Sequence, residues 1–556
     1  MRPSMMARLA RPVPFLLLAM AVATFMAGIL VPVYTDEMAL QMARSRLFAE
    51  GGELIKLLPQ CDYSLLAQVP LTWYPAAIVN AILYFGWSSA GLRILGIALG
   101  LAWLAVSWTW AGRHPQHLLP RRWFQALILS FSLLGVLPFV LVMARSEQLL
   151  ALGLAAYCMF PLFWPARQDD SAPFVALKAF LFLLLTSVFL FAHPKALFFV
   201  PLVLVSAWLV FRSSSVFLKA GILLATGFAA YQTLQQARNI SYCPQGPLIS
   251  EILAQITLDF RLLASDRGAF FHQAWQNLSL SLDRILERVP ATLTYQSSWL
   301  PAADAQLGPL LSVFGGILRY SLFVLIVMVL IALLFQFVSQ LAGKRLQAPT
   351  LLGATMAIGL VGHVIVYSHN FWHFYTPGML VPAFVVLLLL TIPGGDPIRS
   401  SVRLLARSAA AIWVFLAFAS MALLFYAVVP PLVTVAKLDP YDIPDQPLSW
   451  PILLEERRSE QLRALAGQCG IDSRSERLVL DGPAYFEFQS NRQPINVLYV
   501  SDYGFGKDLG NDIPAFLKRM DSDGVLSRCD YLPQVLKAKA RSLGKMCCLP
   551  KTAWEQ

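Results

Sequence analysis

Apolar runs of roughly 20 residues recur along the first 430 positions, separated by short polar segments, and then cease. A helix rises about 1.5 Å per residue, so each run can cross a hydrocarbon layer of about 30 Å. The pattern predicts spans near 13–32, 91–111, 123–143, 147–164, 174–192, 195–211, 216–233, 310–340, 349–368, 376–393 and 408–430, about eleven in all. The long stretch 310–340 invites a tilted helix or one that starts on the membrane surface. Beyond Pro431 the pattern changes to short mixed segments. Arg477 to Asp481 and Ile495 to Ser501 read as strands, and Ile513 to Met520 and Leu532 to Leu543 as helices. The predicted fold class is therefore an all-α polytopic membrane protein, with residues 1–430 spanning the membrane and 431–556 forming a small extracytoplasmic α/β domain.

Composition agrees with that pattern and excludes other classes. The 556 residues are 57% hydrophobic and 13% charged, and the mean hydropathy is +0.61. A soluble enzyme is ruled out, and no heptad, Gly-X-Y period or internal repeat is present. The net charge of +11 has a specific location. One alternate set of inter-span segments carries fifteen Lys/Arg, among them Arg113, Arg121, Arg122, Lys344 and Arg345, against three Asp. That is the positive-inside bias, and it leaves nucleic acid without support as a partner. It puts the N-terminus in the cytoplasm and the C-terminal domain outside; the cytoplasmic (inner) membrane of a cell with a periplasm is assumed, from a basic multi-span chain without a eukaryotic targeting signal. Arg2, Arg8 and Arg11 before the first run suit a first span better than a cleaved signal, because the run is long and many spans follow. The same bias lays Leu71 to Trp87 along the outer surface, since a crossing there would invert every later loop.

The outer side carries three larger pieces: a first loop at 33–90, a loop at 234–308 and the tail from Pro431. The tail balances 16 Lys/Arg against 17 Asp/Glu, as soluble domains do. Cys158 falls within a span, while Cys61, Cys243, Cys469, Cys529, Cys547 and Cys548 face an oxidising compartment, which permits disulfides. A staple between Cys529 and either Cys547 or Cys548 is expected.

Ionisable residues near spans are costly and tend to be functional. Here they gather on one side. Asp36 and Glu37 follow span one; Arg145 and Glu147 lie between spans three and four; His193 and Lys195 lie between spans five and six; His363, His369 and His373 lie where spans nine and ten meet. The bilayer midplane is almost free of charge, which disfavours an ion-coupled transporter. Asp36 and Glu37 precede a stretch of helix formers from Met38 to Ala49 that stops at Gly51-Gly52, so Asp36 suits a helix cap. At the membrane surface it equally suits a carboxylate that takes a proton from an acceptor hydroxyl. Arg93, Asp259 and Arg261 read as loop salt bridges or solvated faces.

In this order the motifs resemble the GT-C integral-membrane glycosyltransferases, which include protein O-mannosyltransferases, lipid A aminoarabinose transferases and oligosaccharyltransferases. The resemblance covers roughly residues 10 to 395. It rests on Asp36-Glu37 after span one, Val69-Pro70-Leu71-Thr72-Trp73-Tyr74-Pro75 before span two, Ala144-Arg145-Ser146-Glu147, His193-Pro194-Lys195 and Phe374-Tyr375-Thr376-Pro377. It implies a transferase that uses a polyprenyl-phosphate sugar, with Asp36 as base and Glu37 as the accompanying structural or positioning acid. Arg145 and Lys195 would face the donor phosphate, and His193, His369, His373 and Tyr375 would line the cavity. The prolines paired after the first-loop helices of relatives are here spread as Pro70 and Pro75, which leaves sugar and acceptor open. The expected partners are the lipid-linked sugar, an envelope glycan, glycolipid or protein acceptor, and the bilayer. No cofactor is expected. The His369/His373 pair has metal-ligand spacing, but the surrounding Phe371, Trp372, Phe374 and Tyr375 read as an interfacial aromatic belt. A flippase of a lipid-linked saccharide and a non-catalytic scaffold are the competing classes.

Overall fold

The computed structural model describes residues 12–34, 37–38, 88–116, 118–165, 167, 170–240, 257–289, 300, 305–367, 375–392, 400–437, 449–450, 456–489, 494–502, 506, 509 and 512–555. Asp36, His369, His373, most of the first loop with Leu71 to Trp87, and Cys61 and Cys243 lie outside these residues. The chain is a multi-pass bundle followed by a small sheet domain. In order, the bundle helices are α1 (Val13–Ala27), α2 (Ser89–Arg113), α3 (Arg121–Ser130), α4 (Leu137–Leu141), α5 (Ser146–Phe163), α6 (Ala172–Ala192), α7 (Val200–Val210) and α8 (Val216–Ile240). They continue with α9 (Arg267–Glu287), α10 (Gly308–Ala342), α11 (Ala348–Val366), α12 (Pro377–Thr391), α13 (Ser400–Ala427) and α14 (Val429–Lys437).

Among the described residues, eight helical stretches are long and apolar enough to cross a membrane, and Pro194–Val210 and Pro377–Thr391 are shorter apolar helices. The segment expected as a third span does not form one helix. It breaks between α3 and α4, where Leu134 is extended and Gly135 takes φ +53°, a left-handed conformation cheap only for glycine. Pro138 in the first turn of α4 then removes a donor, so the chain passes through short pieces. The stretch 310–340 is one 35-residue helix, about 52 Å long and longer than the hydrocarbon layer.

The centre of the bundle is α12. All of its residues from Pro377 to Thr391 are buried, as expected of a helix apolar on every side. It packs on α5, α10 and α11, and α5 packs in turn on α2 and α7. At the lipid-facing rim, α10 keeps Val313, Ile317, Val324, Ile331 and Phe335 exposed.

The C-terminal part is a five-stranded sheet in the order β4-β3-β5-β7-β6, where β3 is Val479–Leu480, β4 Ile495–Asn496, β5 Gly524–Arg528, β6 Arg541–Leu543 and β7 Met546–Pro550. β3 pairs in parallel with β4 and β5, and the β5-β7-β6 side is antiparallel. The helices α15 (Glu456–Gln468), α16 (Gly482–Glu487) and α17 (Ile513–Arg519) accompany it. The expected helix over Leu532–Leu543 is a correction: only Gln534–Lys537 is helical, and Arg541–Leu543 turns at Gly544, φ +56°, to pair with β7. Long-range pairing of Arg541–Leu543 with β7 thus takes the end of a segment whose start is helical. Cys529 bonds to Cys547 and Cys469 to Cys548, so adjacent cysteines on β7 staple two different parts of the domain. A two-residue strand after α1, β1 (Val33–Tyr34), pairs with β2 (Ser449–Trp450) and ties the bundle to the tail.

Candidate functional site

The break between α3 and α5 creates the site. Backbone groups that leave a helix while buried, as Val142 to Ala144 are, need other partners. The side chains of Arg93, Glu37 and Gln148 supply them. Arg93, in the second turn of α2, is fully buried and donates from Nη1 to the Val142 carbonyl at 2.7 Å, from Nε to Val31 at 3.1 Å and from Nη2 to Pro32 at 2.8 Å. It also grips Glu37 in a two-pronged pair, Nη1 to Oε1 at 3.1 Å and Nη2 to Oε2 at 2.9 Å. Glu37 accepts in addition the Ala144 N–H at 2.6 Å and the Tyr34 N–H at 2.9 Å. With four donors on two oxygens, this carboxylate is committed to holding the chain after α1 against α2 and the 142–144 turn. Arg93 thus forms the salt bridge that the sequence reading allowed, and corrects it in one respect: the pair with Glu37 is fully buried rather than on a loop or a solvated face. Gly96 lets α2 come this close, since a Cβ there would sit 1.9 Å from the Val142 carbonyl oxygen.

One residue beyond Ala144 the chain turns into α5. The Arg145 N–H donates to Gln148 Oε1 at 3.2 Å, and Gln148 Nε2 reaches back to the Val140 carbonyl at 2.9 Å, which fixes the helix start. Glu147 falls in the first turn, at the positive end of the helix. It is buried and accepts from two cations, Arg145 Nε to Oε2 at 3.1 Å and Lys195 Nζ to Oε1 at 2.8 Å. Lys195 comes from the 3-10 turn Pro194–Phe199 between α6 and α7. Its N–H donates to His193 Nδ1 at 3.1 Å, so His193 caps that turn.

Tyr375, just before α12, closes the cluster. The Arg145 guanidinium lies 3.5 Å from its ring centre and Lys195 Nζ 5.2 Å. The Tyr34 ring of β1 lies 6.4 Å from the Tyr375 ring, centre to centre, and Tyr367 at the end of α11 lies 5.9 Å from Lys195 Nζ. Tyr367 stacks on buried His363. Among the described residues, two cations share one carboxylate beside aromatic rings, a setting suited to binding an anion such as a phosphodiester.

The structure therefore brings together Arg145, Lys195, His193 and Tyr375, and holds Glu37 a few residues away through Ala144. Sequence reading passed over Glu147 as the bridge, Arg93 as the partner of Glu37, and Tyr367. The Arg145-x-Glu147 spacing was the available signal for the first; the Arg93–Glu37 pair spans 56 residues and has no local signature. Among the described residues, no group of three or more His, Cys, Asp or Glu is placed to share a metal ion.

These features define a multi-pass α-helical membrane protein with a buried cationic cluster at one end of its bundle. No family model matches the sequence, and no curated protein matches it. Among solved structures, the chain is similar to ArnT from Cupriavidus metallidurans bound to undecaprenyl phosphate, at 12% identity over 97% of each chain with a TM-score of 0.44. It is also similar to the oligosaccharyltransferase AglB from Archaeoglobus fulgidus in complex with an inhibitory peptide and a dolichol-phosphate, at 10% identity over 93% of this chain and 70% of that one, with a TM-score of 0.40.

Proposed function

We propose that the protein is a membrane glycosyltransferase that moves a sugar from a polyprenyl-phosphate donor to a hydroxyl of an envelope acceptor, on the outer face of the cytoplasmic membrane. The observation that carries this reading is the convergence of buried Arg145 and Lys195 on Glu147 beneath Tyr375. Cations held without solvent act strongly on a phosphate whose charge rises as it departs. In the proposed step the acceptor oxygen bonds to the anomeric carbon while the carbon–oxygen bond to phosphate breaks. Its electron pair goes to the phosphate oxygen, between Arg145 and Lys195, and the acceptor proton goes to Asp36. Glu37 adjoins Asp36 in the chain, and its bonds to Arg93 and Ala144 register that segment against Arg145. Residues 1–430 would form the catalytic membrane part and 431–556 an extracytoplasmic domain, with the loop at 234–308 helping to select the acceptor.

The test is mass spectrometry of envelope glycolipids, glycans and glycoproteins from cells with wild type, Asp36→Asn or no gene copy. Loss of one sugar in both variant and null is expected, and the shifted molecule identifies the acceptor. Retention of the sugar in Asp36→Asn removes the base assignment. A change only in the sidedness of a lipid-linked sugar replaces the reading with a flippase.

A further inference from the structure

The segment after α1 is held from two sides. Val33 packs with Leu92 and Ala144 of the bundle, and Glu37 is bound by Arg93 and the Ala144 N–H. Met38, the next residue, points the other way. It is 1% exposed and lies in the core of the C-terminal domain with Leu462, Leu465, Leu480, Tyr485 and Met546. Cys469 and Cys548, which are bonded to each other, belong to that same core. Two further contacts cross the seam: β1 pairs with β2 at Val33–Trp450 and Tyr34–Ser449, and Phe486 on α16 packs on both the domain core and the Val33–Leu92–Ala144 group.

We propose that Met38 is a positioning residue and that the disulfide-bonded C-terminal core is the seat of the acid-bearing segment, rather than only a cover over the site. This rests on the glycosyltransferase reading above for its consequence in catalysis. A helix or loop end tied only at Glu37 can rotate about that tie; one tied at Glu37 and again at the adjacent side chain on the opposite face cannot. Asp36 is one peptide bond from the first tie and two from the second. Arg145 and Lys195 are bonded to Glu147 within the bundle, so loosening the seat is expected to free the 33–38 segment while these salt bridges stay in place. The turnover step would suffer while donor binding would not. Misplacement of a reacting group by about 1 Å costs roughly 10- to 100-fold in rate.

The experiment uses the full chain, purified in detergent, as wild type, Met38→Ala, Met38→Leu, and a double variant with Cys469→Ala and Cys548→Ala. Amide hydrogen exchange of peptides covering residues 33–38 is read beside exchange of α5, and donor consumption is measured with a polyprenyl-phosphate sugar. In Met38→Ala and in the double variant, exchange at 33–38 is expected to rise with α5 unchanged. In the same variants kcat should fall at least about tenfold with the donor KM kept, and Met38→Leu should restore both. Unchanged exchange at 33–38 in Met38→Ala overturns the seat, as does faster exchange with a wild-type kcat. Faster exchange in a protein whose wild type consumes no lipid-linked sugar leaves the seat supported and removes the glycosyltransferase reading instead.

Discussion

Glu147 sets the charge of the cluster, and its removal separates its structural part from its functional one. Replacing it with Gln removes the buried carboxylate that Arg145 and Lys195 share. Breaking a buried pair in this way costs about 3–5 kcal/mol. On the proposed reading a lipid phosphate sits on these cations and would replace the lost anion, so polyprenyl phosphate should raise the melting temperature of Glu147→Gln more than that of wild type. Thermal unfolding of both proteins in detergent, with and without the lipid, checks this; equal shifts would mean that the phosphate does not sit on these cations. The two cations were legible in the sequence because charges at span ends are expensive enough to need a reason. Their shared acid was not, since Lys195 is 48 residues away and only packing of α5 against the turn before α7 brings it within reach. Arg93 was legible as a salt-bridge residue but not as a buried one for the same cause: burial, not identity, decides whether such a charge is a solvated group or a clamp.

At the level of elements, apolar run length revealed most helices of the bundle, and what it missed were the breaks. The α3–α4 break is written in Gly135 and Pro138, yet both residues also occur within continuous membrane helices, as Pro382 does inside α12. The early end of α4 at Leu141 in turn leaves the Val142 carbonyl and the Ala144 N–H free for Arg93 and Glu37. Gly96 is its counterpart on α2. A methyl group there meets backbone, which has no rotamer to change, so Gly96→Ala must push α2 off the turn and stretch the Arg93–Val142 bond. The expected loss lies at the upper end of the about 1–3 kcal/mol typical of overpacking. Gly221→Ala on α8, where nothing lies within 4 Å of the added methyl, should be neutral or gain up to about 1 kcal/mol from helix propensity. Melting temperatures of the two variants in one detergent make the comparison, and a harmless Gly96→Ala would remove the close approach of α2 as the reason for this glycine.

Across the whole molecule, the division between apolar bundle and polar tail was visible in composition, but their union was not, because β1 and β2 are two residues each and lie more than 400 positions apart in the chain. The tail's internal stability is coupled to pH through Asp481, which starts α16 at the end of β3. Its Oδ1 accepts the Ala484 N–H at 3.2 Å and its Oδ2 the Arg528 N–H at 2.6 Å. Burial outweighs those bonds and pushes its carboxyl up from 3.8 to about 6. A raised acid binds its proton more tightly in the folded than in the unfolded domain, so its contribution is complete below about pH 4 and is lost as pH rises through about 6. The difference is on the order of 3 kcal/mol across that window. Asp481→Asn keeps a good helix cap but cannot titrate, and it gives up the acceptor facing the Arg528 amide. Exchange protection of β3 and β5 in the full chain should therefore weaken between pH 4 and pH 6 in wild type and stay flat over that range in Asp481→Asn. A wild-type profile that strengthens across the same interval would mean that Asp481 is charged throughout and that its two N–H donors, not burial, set its proton affinity.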